Sequence, residues 1–212
     1  MYHEGMDKFT KLKLSLRYWL LGKEFFAAAD ALEFASYYHT GVRKDGVTPE
    51  LQHQVEIAHY LRTLLPSLMF PEATLTAALL HDVTEDYDVN IAAIENKYGS
   101  QVAGAVKLLD KNGKMTGAYF NDLGQCPIAS LVKGADRIHN LQSMHGVFTP
   151  EKQFRYIREV EDSFLPMLKL ARRTFVQQEA AYENIKHMLE SQMQLIRVTR
   201  DGDLADDQNK GE

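Results

Sequence analysis

Cysteine is almost absent: Cys126 stands alone among 212 residues. No intrachain disulfide can form, and zinc sites built from four cysteines are excluded. The lone thiol reads as a small apolar filler rather than a nucleophile. An excess of positive charge is missing too, since the formal net charge is −5. A protein that coats nucleic acid wants a basic surface, so nucleic acid is not an expected partner. A small phosphorylated ligand stays open, because a metal ion and a few local lysines or arginines suffice to hold one. No apolar run approaches the roughly 18 residues of a membrane span. Met1 to Thr10 carries charges and no apolar leader segment. No membrane partner is expected, and the cytoplasm is the default location. Strand-length alternation bounded by turn signals, internal repeats and low-complexity blocks are all lacking.

What is present is helical patterning. The hydrophobic fraction is 45%, ordinary for a globular chain, and the length suits one domain with a sizeable core. Lys23 to His39 is alanine-rich, and Phe26, Ala29, Phe34 and Tyr37 recur at helical spacing. Phe25, Phe26, Phe34, Tyr37 and Tyr38 are read as core. Turn formers fill Thr40 to Pro49. Further helices are expected at about 49–65, 71–85, 90–98, 101–110 and 127–144. Asn90 and Gly99 serve as cap and stop of the fourth. The stretch 150–198 reads as two helices interrupted near Pro166. Residues 111–117 read as a loop, with room for a short hairpin within 111–124. The expected architecture is all-α, a compact single-domain helical bundle. It comprises a helical extension over 1–22, a main domain over 23–198 and a disordered acidic tail over 199–212.

The chemistry concentrates in Leu79-Leu80-His81-Asp82-Val83-Thr84-Glu85-Asp86, where four ionisable residues follow an apolar run within six positions. His81 and Asp82 offer an imidazole and a carboxylate at one point. That mixed donor set suits Mn, Fe, Zn or Mg rather than soft metals. Glu85 lies four residues after His81, one helical turn along the same face. Alone, the dipeptide would more simply be the polar end of a helix. Two further features change the weighing. Asp136 sits behind a second apolar run in Lys133-Gly134-Ala135-Asp136-Arg137-Ile138-His139-Asn140, and His53 opens the apolar face of an upstream helix.

These segments together resemble the HD hydrolase domain of RelA/SpoT enzymes and their small stand-alone relatives. Ala35 to Gly41 followed by Arg43-Lys44-Asp45-Gly46 is similar to that family's A-x-x-x-H-x-G…R-K-x-G opening. His53 takes the place of the histidine at the start of the next helix. His81 to Asp86 matches H-D-x-x-E-D. Tyr98 to Val102 fits an aromatic-Gly-x-x-Val turn, and Val132 to Leu141 is close to V-K-L-A-D-R-x-H-N. The resemblance spans about residues 24–175. Only Val42 separates Gly41 from Arg43, where many relatives have two residues.

The resemblance implies an HD-type helical fold holding one divalent metal, usually manganese, on His53, His81, Asp82 and Asp136. It implies Glu85 and Asp86 as the acids that orient and deprotonate water. Arg43, Lys44, Arg137, Asn140 and Ser143 would bind substrate, with Arg137 alternatively holding the site acids in place. The implied reaction is removal of the 3′-diphosphate from guanosine tetra- or pentaphosphate, as hydrolysis only, with no synthetase region. Still open are another nucleotide substrate (an adenosine alarmone, the 2′-phosphate of NADPH, a simple nucleotide), a non-catalytic nucleotide-binding module, and a homo-oligomeric state. His39 and His139 are read as structural, His139 through a core hydrogen bond.

Overall fold

The computed structural model describes the backbone of residues 7–209 and the side chains of residues 7–199. Among these residues the regular structure is helical and the only β-type pairing is one bridge, Val42 to Pro49. The centre is α4, Pro71–Leu80, whose residues from Thr74 to Leu80 are all buried. A helix apolar on every side belongs inside a bundle. Around it pack α2 (Phe26–Tyr38), α3 (Glu50–Thr63), α7 (Ser100–Leu109) and α9 (Ala129–Ser143). The N-terminal α1, Lys8–Gly22, lies against α2 and α3. On the far side α9 is covered by α8 (Thr116–Gly124), α11 (Leu165–Thr174) and α12 (Glu179–Asn209). Gly134 permits the α9–α12 approach, since a Cβ there would sit 2.7 Å from Ile185 Cγ2.

Several expectations about elements are corrected. The helix expected over 71–85 ends at Leu80. His81 and Asp82 form a turn, and α5, Val83–Asp86, restarts at once. His81 Nδ1 lies 2.9 Å from the Ala78 carbonyl, so its side chain takes a backbone acceptor at the helix end. The 111–124 region holds no hairpin. After a turn with Gly113 at φ 71°, α8 buries Tyr119, Phe120 and Leu123. Pro166 does not interrupt the chain. It lies in the first turn of α11, directly after a π-helical turn whose wider hydrogen-bond spacing accommodates the missing N–H. A π-helical turn, Val160–Phe164, joins α10 (Pro150–Glu159) to α11, and the break falls at 175–178.

The core face of α2 is also not the aromatic one. Phe26 and Tyr37 are 63% and 79% exposed, while Ala28, Ala31, Leu32 and Ala35 are fully buried. Small residues let α2 approach α4 closely, and the larger rings ride its flank. Phe34 stacks edge-on against Tyr98 there. The expected tail boundary at 199 falls inside α12, whose backbone continues to Asn209, as helix propagation costs one residue at a time. Residues 210–212 and the side chains beyond 199 lie outside the described residues.

Candidate metal centre

Three helix segments deliver the polar cluster. The turn after α4 presents His81 and Asp82, α3 presents His53, and α9 presents Asp136. His53 and His81 are 4% and 1% exposed, with ring centroids 5.3 Å apart. One ligand atom from each of His53, His81 and Asp82 falls within a 4.8 Å group. Asp136 joins through His53: its Oδ1 is 3.2 Å from His53 Nε2. Its other oxygen lies 3.1 Å from Lys133 Nζ, and Asn140 donates to Oδ1 at 2.6 Å.

The donor set fits a divalent cation. With its Nδ1 hydrogen directed to Ala78, His81 turns a bare Nε2 into the cluster. That nitrogen is buried without an aligned hydrogen-bond partner, 3.0 Å from the acceptor Asp82 Oδ2. His53 Nε2 likewise confronts a carboxylate. Imidazole nitrogens facing carboxylate oxygens require a cation between them, a proton or a metal. Protons take that part when nothing else does. Burial disfavours a charged His81, and the Asp82 carboxylate outweighs it, lifting His81 to about 9. At His53 burial prevails over Asp136, and the ring drops to about 4. Asp82 is held below the usual carboxylate range, burial being overcome by His81; Asp136 is held well below it too, burial being overcome chiefly by Lys133. A metal here competes with protons.

The cluster forms the floor of a cavity of about 750 Å³. Glu85 and Asp86 line it on one side. Arg43, Lys44, Asn140, Ser143, Phe148 and Tyr156 line it elsewhere. The Arg43-Lys44 loop is a built element. Arg43 N donates to Thr48 O at 2.8 Å, Glu50 N donates to Gly41 O at 3.0 Å, and Asp45 accepts from the backbone N–H groups of Val47 and Thr48. Arg43 Nη2 donates to Asn140 Oδ1 at 3.1 Å, so this loop is tied through Asn140 to Asp136. Ser143 Oγ is engaged with the His139 carbonyl at 2.9 Å.

Arg137 is the one expected site residue placed elsewhere. It is buried outside the cavity, paired with Glu159 at 2.6 Å and sandwiched by Tyr156 and Phe164 with 4.4 Å to each ring centroid. One residue of α-helix rotates a side chain by roughly 100°, so the neighbour of an inward Asp136 faces α10 instead. Its expected substrate contact is therefore withdrawn. His39 is buried edge-on against Tyr87, outside the ligand group, in keeping with a structural role. His139 makes the expected hydrogen bonds, but to a site residue: its Nδ1 is 2.9 Å from His53 Nδ1 and its Nε2 is 2.6 Å from Glu56 Oε2. Glu56, Gln54 and Lys133 were not singled out in the sequence. Gln54 donates to Asp82 Oδ2 at 3.2 Å.

The comparisons with known proteins bear on this geometry. Residues 31–122 match the profile of the HD domain. That stretch contains His53 and the His81-Asp82 turn, the floor of the cavity. This stretch of the chain is similar to the HD domain. The chain is 34% identical over 146 residues to a probable guanosine-3′,5′-bis(diphosphate) 3′-pyrophosphohydrolase of Synechocystis, covering 63% of this chain and 19% of that protein. A protein of Vibrio cholerae named guanosine-3′,5′-bis(diphosphate) 3′-pyrophosphohydrolase is 28% identical over 177 residues, or 76% of this chain and 24% of the relative. The chain thus spans about a fifth to a quarter of the length of these relatives. In three dimensions it resembles a solved structure described as a metazoan ortholog of SpoT that hydrolyses ppGpp. The TM-score is 0.59 and the identity 23%, over 75% of this chain and 93% of the other. That likeness shows the HD fold.

Asp86 gives a test of the electrostatics. Burial, then the carboxylates of Asp82, Glu85 and Glu50, push it up to about 6 from 3.8. The folded state therefore holds this proton more tightly than the unfolded chain, and stability is lost as pH rises between those values. In chelator-stripped protein, Asp86→Asn should raise the melting temperature at pH 7 to 8 and leave it unchanged near pH 4. Equal gains at both pH values would show that the carboxylate is not under this repulsion.

Proposed function

We propose that this chain hydrolyses the 3′-diphosphate of guanosine 3′,5′-bis(diphosphate) or its pentaphosphate counterpart, releasing pyrophosphate. Manganese would be held by His53, His81, Asp82 and Asp136. The observation that carries the reading is the buried His/Asp cluster, three of whose members, His53, Asp82 and Asp136, line a cavity bordered by Arg43, Lys44 and two aromatic rings. The names of the sequence relatives supply the substrate.

When bound, a divalent cation supplies Lewis acidity toward a phosphoryl oxygen and toward water. The protein's own residues account for the rest. Lys133 and Asn140 hold Asp136 in place. Asp86 and Glu85 line the cavity beside the cluster to orient water and take its proton. Arg43 and Lys44 provide a planar fork and a point charge for nucleotide base and phosphate. Asn140 Oδ1 would exchange Arg43 for the nucleoside while its Nδ2 keeps Asp136, and Ser143 would exchange the His139 carbonyl for it. Overall, water adds across the bond between the 3′-phosphoryl group and its ester oxygen. The nucleoside 5′-diphosphate, or 5′-triphosphate from the pentaphosphate, leaves with a free 3′-hydroxyl, and pyrophosphate departs. The same proposal takes residues 23–198 as the hydrolase domain, acting in the cytoplasm on a free nucleotide rather than nucleic acid.

The test is product identification with manganese-loaded protein. Guanosine 3′,5′-bis(diphosphate) should yield GDP and pyrophosphate in equal amounts. Absence of pyrophosphate from every 3′-pyrophosphorylated nucleotide tried would refute the substrate assignment. Phosphate release from NADPH in its place would move the same metal site to a different ester.

A further inference from the structure

The cluster contains a feature that neither the ligand set nor the substrate reading explains. His53 is followed outward by a second histidine and then a carboxylate. His53 Nδ1 lies 2.9 Å from His139 Nδ1, and His139 Nε2 lies 2.6 Å from Glu56 Oε2. Glu56 is steadied in turn by Gln52, whose Nε2 donates to Glu56 Oε1 at 2.8 Å.

With both rings neutral and Glu56 ionised, the hydrogen bonds run in one direction. A carboxylate accepts, so His139 must donate from Nε2. A neutral His139 then offers a lone pair at Nδ1, and His53 must donate from its own Nδ1. That leaves His53 Nε2 bare, directed at Asp136 Oδ1 3.2 Å away. The competing tautomer would carry its hydrogen on Nε2 and donate it to Asp136. In that state His53 satisfies itself and is closed to a metal. The two states compete at one ring, and the outer partners decide between them.

We propose that Glu56 and His139 are positioning residues for the metal centre, a relay that fixes the tautomer and ring orientation of His53 so that Nε2 is available as a ligand. This rests on the reading of His53 as a metal ligand. Glu56 and His139 touch neither the metal nor the reacting atoms in this role. Their effect passes through His53, so it falls on metal affinity rather than on turnover at full occupancy.

The test uses the full chain, stripped with chelator and titrated with manganese alone by calorimetry. It compares wild type, Glu56→Ala, Glu56→Gln and His139→Phe. Glu56 is half-buried at the rim, so Glu56→Ala should keep the wild-type circular dichroism and melting behaviour. Its manganese dissociation constant should rise about 10- to 100-fold, the usual effect of losing a partner of a metal-bound histidine. His139→Phe should lose a similar factor. Glu56→Gln retains an acceptor oxygen for His139 Nε2 and should stay within about 3-fold of wild type. At saturating manganese the kcat of Glu56→Ala should return to near the wild-type value. Wild-type binding with an unchanged Glu56→Ala constant overturns the relay alone, as does a Glu56→Gln loss equal to that of Glu56→Ala. Wild-type protein that takes up no manganese overturns the metal reading, and the relay with it.

Discussion

Asp82→Ala protein, loaded with manganese and then desalted, should carry well under one ion per chain by elemental analysis, and its turnover should fall by about 10³ or more. The carboxylate is the group that faces both imidazoles: Oδ2 is 3.0 Å from His81 Nε2 and 3.9 Å from His53 Nε2. Without it the cluster loses one of its two negative charges, and Asp136 is already engaged by Lys133 and Asn140. A factor of 10³ in rate corresponds to about 4 kcal/mol, within what Lewis-acid stabilisation of a phosphoryl group supplies. Misfolding is separable from metal loss. Asp82 sits in a turn, partly exposed, and the side-chain hydrogen bond it accepts from another residue comes from Gln54. The stripped variant should keep the helical circular dichroism of stripped wild type, with a lower melting temperature because His81 loses the carboxylate that faces it. Full manganese occupancy in Asp82→Ala would contradict the ligand assignment, whatever the activity.

The cluster was legible in the sequence because its chemistry is local. An adjacent His-Asp pair after an apolar run, and an Asp after another, are patterns that a linear reading detects. Their meeting point came from the family resemblance, since α4 is apolar on every side and offers no face to orient it. What escaped depended on rotation and on partners distant in the chain. Arg137 shares a motif with Asp136, yet one helical step turns it toward Glu159 and two aromatic rings. Glu56 lies 83 positions from His139, and nothing in its own neighbourhood marks it as a partner. The end of α4 at Leu80 is set by the side chain of His81 reaching the Ala78 carbonyl, a competition that periodicity does not register. On α2 the reading favoured large rings as core, whereas close approach to α4 selects the alanines. The short α8 was missed because its glycines and polar residues read as turn, while Tyr119, Phe120 and Leu123 earn their helix by burial against neighbouring elements.

Glu85→Gln should separate binding from chemistry. In the structure Glu85 lines the cavity next to the His81-Asp82 turn, and its Oε2 accepts from Lys111 N at 3.3 Å. Glutamine has the same length and keeps an acceptor for Lys111, so the loop and the cavity wall should hold their positions. What it loses is the ability to take a proton, and general-base removal typically costs 10²–10⁴ in rate. The expected result is a kcat lower by about that factor, with KM and the manganese dissociation constant within about 3-fold of wild type. Asp86 stands beside it and keeps its own carboxylate, so a residual rate near the upper end of that range is consistent with two acids sharing the task. The double variant Glu85→Gln/Asp86→Asn should then fall further than either single change. A different pattern, in which kcat is retained and KM rises, would make Glu85 a substrate contact. In that event Asp86, which lines the same cavity, is the acid left to activate water.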